Sequence, residues 1–194
     1  MLSFFRGRKL RGIRRSKSRN WPGVVYHLPR QALREHKDDP SIKRGGIYFL
    51  LGQNANGVRT VYVGQADKRS YGNGINQRLD EHTHDGLKDW QEAIYINTHG
   101  EPLGTTELKY LEYRFYILAK QTFGKNIKNG QAPFPGNPSF SVQRGLDEFV
   151  EKACHILSLL GLPIMVFDVS PQIRPPPLLW YHLYRMCHLP HSCY

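Results

Sequence analysis

The first strongly patterned stretch of the chain is residues 45–52, Gly-Gly-Ile-Tyr-Phe-Leu-Leu-Gly, an unbroken apolar run bounded by glycines. Such a run reads as a buried strand. Residues 53–57 contain Asn54, Asn56 and Gly57, which tolerate the left-handed backbone of tight turns. Residues 59–64 form a second strand centred on Val61-Tyr62-Val63, so the two predict an antiparallel hairpin. The polar, glycine-bearing stretch 67–74 is a loop, and 75–84 reads as a helix with Ile75 and Leu79 on one face. A third strand is predicted over 93–98 and a turn over 99–104.

A longer helix follows over 106–120. Thr106 is its expected cap, Glu107 suits its positive dipole end, and Leu108, Leu111, Phe115 and Leu118 form a core-facing stripe. Residues 126–138, rich in Gly, Pro and Asn, form a long loop. A third helix spans 141–160 and ends at Gly161, before a short strand at 164–169. From Pro171 onward three consecutive prolines make an extended spacer, followed by an aromatic tail bearing His and Cys. No internal repeat is present.

Charge divides this pattern unevenly. The 194 residues carry 27 Lys/Arg and 16 Asp/Glu, a formal net charge of +11. Residues 1–44 hold thirteen of the cations and three acids, Glu35, Asp38 and Asp39, whereas 45–194 are nearly balanced. The run Arg6, Arg8, Lys9, Arg11, Arg14, Arg15, Lys17, Arg19 contains no acid and few large apolar residues. It is expected to be a partly disordered, phosphate-binding arm over 1–44, or else a solvated tail. The expected organisation is therefore that arm, a folded domain over 45–169 and a tail over 170–194. No window reaches 18 unbroken apolar residues, and no signal-length apolar stretch follows the basic N-terminus. Three widely spaced cysteines argue against a disulfide framework and for a reducing, cytoplasmic setting.

Four residues fit a purely structural role poorly. Tyr48 and Tyr62 share strand parity, and a turn centred near Ala55 would set them opposite each other, with Gly46 opposite Gly64. The small residues would leave room above the sheet for a ligand or a backbone. A cross-strand aromatic pair packing the core explains the two phenols equally simply. Glu112 lies within the apolar stripe of its helix, where a carboxylate is costly unless ion-paired or metal-bound. Arg78 and His82 are one helical turn apart on a shared face, the alternative being two solvated side chains.

In order, the chain shows Gly46-Ile47-Tyr48, Tyr62-Val63-Gly64-Gln65-Ala66, Gly72-Asn73-Gly74, Arg78-Leu79-Asp80-Glu81-His82, Thr106-Glu107-Leu108-Lys109-Tyr110-Leu111-Glu112 and Lys128-Asn129-Gly130. Together these resemble the GIY-YIG nuclease family, over residues 45–167, with a bacterial and phage flavour. The resemblance implies an α+β fold: a small three-stranded antiparallel sheet flanked by helices. It implies hydrolysis of DNA phosphodiesters with one divalent cation, Mg2+ or a substitute such as Mn2+. Carried over by position, Glu112 would bind the metal, and Arg78 would stabilise charge on the scissile phosphate. Tyr48 would deprotonate or orient the attacking water beside Tyr62, and His82 would assist proton transfer. Asn129 would match the asparagine following the metal-binding glutamate, with Asn126 competing. The separation of Tyr48 from Tyr62 is longer than the compact family spacing, and residues 68–73 lengthen the loop before Arg78. The expected function is a metal-dependent DNA endonuclease; the alternative is a weak or inert DNA-binding or scaffold module.

Other constellations have plainer readings. Tail residues His182, Cys187, His188, His191 and Cys193 match no zinc spacing. The His82-Thr83-His84-Asp85 run cannot aim all its ligands one way from adjacent helical positions. Trp90, Tyr95 and Phe134 are expected to pack, and Cys154 to be buried within its helix.

Overall fold

A computed structural model describes residues 12–67 and 74–159. Arg6, Arg8, Lys9, Arg11, the 68–73 loop, the strand expected at 164–169 and the tail with its His and Cys residues lie outside the described residues. The strands are β1 (Arg14–Lys17), β2 (Gly23–Pro29), β3 (Gly46–Gln53), β4 (Arg59–Ala66) and β5 (Trp90–Thr98). The helices are α1 (Leu33–His36), α2 (Ile75–Glu81), α3 (Thr105–Phe123) and α4 (Phe140–Leu159). The fold is mixed α and β, with one antiparallel five-stranded sheet in the order β1-β2-β5-β3-β4.

The sheet thus has five strands, not three, and the extra two come from the segment expected to be an arm. Val24, Val25, Tyr26 and Leu28 are buried in β2, and Trp21 packs on Phe149 of α4 with ring centroids 4.8 Å apart. Those apolar residues are enough to dock the segment against β5, so the charge-based boundary at residue 44 falls inside a folded unit. β1 has no apolar pattern of its own. It forms because β2 offers an unpaired edge, and Arg15 lies over the Tyr26 ring at 5.9 Å. A charged edge strand of this kind also discourages further strand addition.

The hairpin forms as expected, with its register moved by two residues: Tyr48 pairs with Gly64, and Leu50 with Tyr62. The turn is the cause. Gly57 takes a left-handed φ of 72°, its N–H donates to the Asn54 carbonyl at 2.9 Å, and Asn54 N–H donates to Val58 at 2.9 Å. That centres the loop on Asn56 instead of Ala55. A two-residue shift preserves parity, so both tyrosines still share a face.

Each face of the sheet has its own core. Ile47, Phe49, Leu51, Val61, Val63, Ile94 and Ile96 face α3 and α4, with Phe49 edge-on to Phe115 at 5.3 Å. Tyr48, Leu50, Ala93, Tyr95 and Tyr26 face the other way, under Leu33 of α1 and Ile75 and Leu79 of α2. Burial on both faces explains why β3 reads as a continuous apolar run. α3 begins one residue earlier than expected and is capped by Gly104, whose N–H donates to Glu107 Oε2 at 2.6 Å, so Thr106 is not its cap. α2 ends at Glu81, and His82 follows it in a turn. No helix among the described residues is long and apolar enough to cross a membrane.

Candidate active site

β3, β4 and the end of α2 converge on the tyrosine face near the β4 edge, and α3 packs against the other face. Tyr48 on β3, Tyr62 on β4 and His82 after α2 form a ring cluster, with centroids 6.2 Å (Tyr48–Tyr62), 5.7 Å (Tyr48–His82) and 5.2 Å (Tyr62–His82) apart. Arg78, one turn before His82, and Glu112 on α3 lie close enough to influence both phenols electrostatically. Three of the six expected catalytic residues thus touch one another, and Arg78 and Glu112 lie within electrostatic reach of the two phenols.

Gly64 is required there. A Cβ at this position would stand 2.5 Å from Tyr48 Cζ and Oη, so the Tyr48 ring lies directly across the bare backbone of β4. The space expected above the glycines for a ligand is filled by the protein itself: Tyr48 covers Gly64, and a Cβ at Gly46 would meet the Ile96 carbonyl at 2.3 Å.

A hydrogen-bonded chain runs through the cluster. Tyr48 Oη lies 2.8 Å from His82 Nε2, and His82 Nδ1 lies 2.6 Å from Asp85 Oδ2. An ionised carboxylate only accepts, so Nδ1 carries a proton, and in the neutral imidazole Nε2 then accepts from the Tyr48 hydroxyl. Burial raises the pKa of Asp85, but the Leu87 N–H and His82 outweigh it, holding the carboxyl below its ordinary value. Burial pushes the Tyr48 phenol well above its ordinary value, with Tyr62 adding to the effect and Arg78 opposing it. Tyr62 is raised by burial and then by Glu112. Asp85 was absent from the sequence-derived set. Its only signal was the three-residue spacing from His82, which becomes meaningful when the chain turns after Glu81.

Glu112 is pushed up to about 7 by burial, with Arg78 pulling the other way. It makes no side-chain hydrogen bond or ion pair with the described residues, so its carboxylate is available to an incoming cation. Among the described residues there is no cluster of three or more His, Cys, Asp or Glu suited to a metal. One carboxylate fits Mg2+ or Mn2+, which can complete their shells with water and phosphate oxygens, and does not fit a multi-ligand zinc site.

Arg78 is less free than its place in the motif suggests. Its NH1 donates to Glu81 Oε2 at 2.7 Å, which raises its pKa further, burial opposing. Arg78 borders a cavity of about 240 Å³ together with Gln65, Gln77 and Lys109 and with the carboxylates Asp67 and Glu81. Asn129 does not enter the cluster. Its Oδ1 accepts the Val63 N–H at 3.0 Å and its Nδ2 donates to the Val63 carbonyl at 2.8 Å. Together with Lys128 N–H donating to Val61 at 2.7 Å, it pins the outer edge of β4, so its role is to hold Tyr62 in position. Asn126 lies in the preceding single turn of 3-10 helix, 124–126.

Of the expected nucleic-acid-binding cations, Arg14, Arg15 and Lys17 sit on β1 and Arg19 just beyond it. Arg15, Tyr26, Tyr95, Tyr48 and Gly64 pair successively across the sheet. At about 4.8 Å per strand, Arg15 stands roughly 14 Å from Tyr48, outside the reacting centre. Trp90 and Tyr95 are buried as expected, Phe134 is exposed, and Cys154 is buried in α4 with its thiol pushed up to about 12 by burial. No family model, curated protein or solved structure matches the chain.

Proposed function

We propose that the chain is an endodeoxyribonuclease of the GIY-YIG type, hydrolysing DNA phosphodiesters at the Tyr48, Tyr62, Arg78, His82, Glu112 cluster. One observation carries this reading: the Tyr48–His82–Asp85 chain lies beside a cation and an unpartnered, half-buried carboxylate. Phosphodiester hydrolysis needs an oriented water, a sink for its proton and positive charge for the phosphoryl oxygens.

The hydrogen-bonded chain answers the main chemical objection to a tyrosine base. A buried phenol is a poor base at neutral pH, so a free tyrosinate is the wrong species. Tyr48 instead takes a proton from the attacking water as its own proton passes to His82 Nε2, and Asp85 stabilises the resulting imidazolium. The new P–O bond forms as the bond to the leaving sugar oxygen breaks, and solvent protonates that oxygen. Arg78 offers phosphate the donors that Glu81 leaves unused. Tyr62, edge-on to His82, keeps the relay in register. Glu112 would hold Mg2+, which when bound neutralises phosphoryl charge as a Lewis acid.

One contact supports a second reading, that of a weak or inert DNA-binding or scaffold module: the Arg78–Glu81 ion pair, which engages the cation that phosphate would need. Nicking of supercoiled plasmid with Mg2+ separates the two. The wild type is expected to nick, Glu112→Gln to lose activity, and Asp85→Asn to slow the reaction by roughly 10²-fold through the wrong His82 tautomer. Equal activity of wild type and Glu112→Gln, or none in either, rejects the enzyme reading.

A further inference from the structure

A second concavity lies on the far side of α2 from the reacting cluster. It is a groove of about 700 Å³ between the 30–37 segment and α2, with Arg30, Arg34, Lys37 and His84 among its lining residues and Asp80 as its one carboxylate. Its Lys and Arg residues outnumber its carboxylates three to one. Lys43, Arg78 and Arg114 are each ion-paired to an acid. Arg34 and Lys37 are exposed and form no ion pair with a described residue. Arg30 is held rigidly at the wall: its NH1 donates to the Lys88 and Trp90 carbonyls, and its guanidinium lies 5.2 Å from the Trp90 ring centre.

The groove and the cavity beside Arg78 share one residue, Gln77, exposed on the crest of α2. Around this helix Ile75 and Leu79 face the core, Arg78 and His82 one flank, and Asn76 and Asp80 the other. The basic groove and the Arg78 cavity, where Arg78 and Lys109 stand beside Asp67 and Glu81, are thus separated by one helix, a width of about 10–12 Å with side chains. A small anion could fill one of them. Only a polymer of regularly spaced anions spans both, and duplex DNA presents phosphates every 3.4 Å of axis along each strand.

We propose that this groove is a phosphate-backbone site for duplex DNA, so that the bound duplex crosses α2 over Gln77 from the Arg78 cleft to Arg34 and Lys37. The choice of DNA as the polyanion rests on the nuclease reading; the site itself rests on the groove's excess of cations over carboxylates and on its continuity with the cleft. It relocates the DNA-holding charge from the far N-terminal run to Arg30, Arg34 and Lys37, three residues with no recognisable motif.

The test is fluorescence anisotropy of a labelled duplex titrated with the full chain over a salt series without divalent metal, alongside plasmid nicking at saturating DNA with Mg2+. Arg34→Gln with Lys37→Gln should weaken binding roughly tenfold and lower the log–log salt slope by about 2, leaving saturated nicking unchanged. Asp80→Asn should tighten binding, a change of sign that misfolding cannot produce. Unchanged affinity and salt slope in both variants overturn the groove while leaving the nuclease reading intact if the wild type nicks. The expected binding changes without nicking by the wild type uphold the groove and reject the nuclease. No duplex binding by the wild type overturns the groove whatever the variants do.

Discussion

The two faces of the sheet are built from alternate residues of the same strands, yet they do different things. On the α3/α4 face, Ile47, Phe49, Leu51, Val61, Val63, Ile94 and Ile96 make a hydrocarbon layer against the two helices. On the α1/α2 face the same strands present Tyr48, Tyr62, Tyr95 and Tyr26, with Tyr48 hydrogen-bonded to His82 and Tyr95 to Ser41. Tyr26 and Tyr95 stack at 4.6 Å, and Asn97 donates to the Ser41 carbonyl at 2.8 Å. One face stores stability in packing. The other spends part of its burial on satisfied polar groups, and those groups are the ones able to move a proton. Adjacent residues 48 and 49 thus belong to different economies of the fold.

The sharpest way to break this division is to substitute both neighbours. Phe49→Ala removes a fully buried ring and should cost about 3–5 kcal/mol in urea unfolding. Tyr48→Phe keeps the ring and should cost about 1–2 kcal/mol, the penalty of an unsatisfied His82 nitrogen, while lowering the nicking rate by roughly 10²–10⁴. Full activity of Tyr48→Phe removes it from proton transfer, and a stability loss matching Phe49→Ala erases the distinction between the faces.

Gly64→Ala should have a smaller effect, confined to the tyrosine face. Its methyl collides with the Tyr48 ring, so β4 or the phenol must move, at about 1–3 kcal/mol and with lost nicking. Near-UV circular dichroism of the tyrosines, compared with that of wild type, reads the displacement directly; an unchanged spectrum with unchanged activity refutes the close approach.

The smallest effect belongs to Glu112. Its folded pKa of about 7 lies above the ordinary 4.5, so the folded state binds the proton more tightly. The associated stability is fully present below pH 4.5 and is lost as pH rises toward and through 7. Allowing for its partial exposure, about 1 kcal/mol is involved. Glu112→Gln should therefore gain stability relative to wild type at pH 8 and not at pH 4.5, in parallel thermal melts. Added Mg2+ should stabilise wild type at pH 8 and leave the variant unmoved; equal stabilisation of the two excludes Glu112 as the metal ligand.

Much of this is legible in the sequence. Period-two alternation placed Tyr48 and Tyr62 on one face, and that survives a two-residue register shift because parity does. The stripe of Leu108, Leu111 and Phe115 located α3 and made Glu112 conspicuous. β2 was missed although Val24-Val25-Tyr26 has the strand chemistry, because thirteen cations in 1–44 outweighed a short apolar run. Asn129 enters the expected site only through the family resemblance, and both its amide atoms are spent on the backbone of Val63, 66 residues away.

Local pattern determined which residues alternate, which stripe is apolar and where the chain turns, because these depend on neighbours a few positions apart. Tertiary structure alone decided that His82 meets Tyr48 across 34 residues and turns its other nitrogen to Asp85. It alone decided that β1 exists and that Arg34 and Lys37 line a groove with α2. Those outcomes depend on which edges and faces are left unpartnered once the rest has packed, and no window of sequence carries that information.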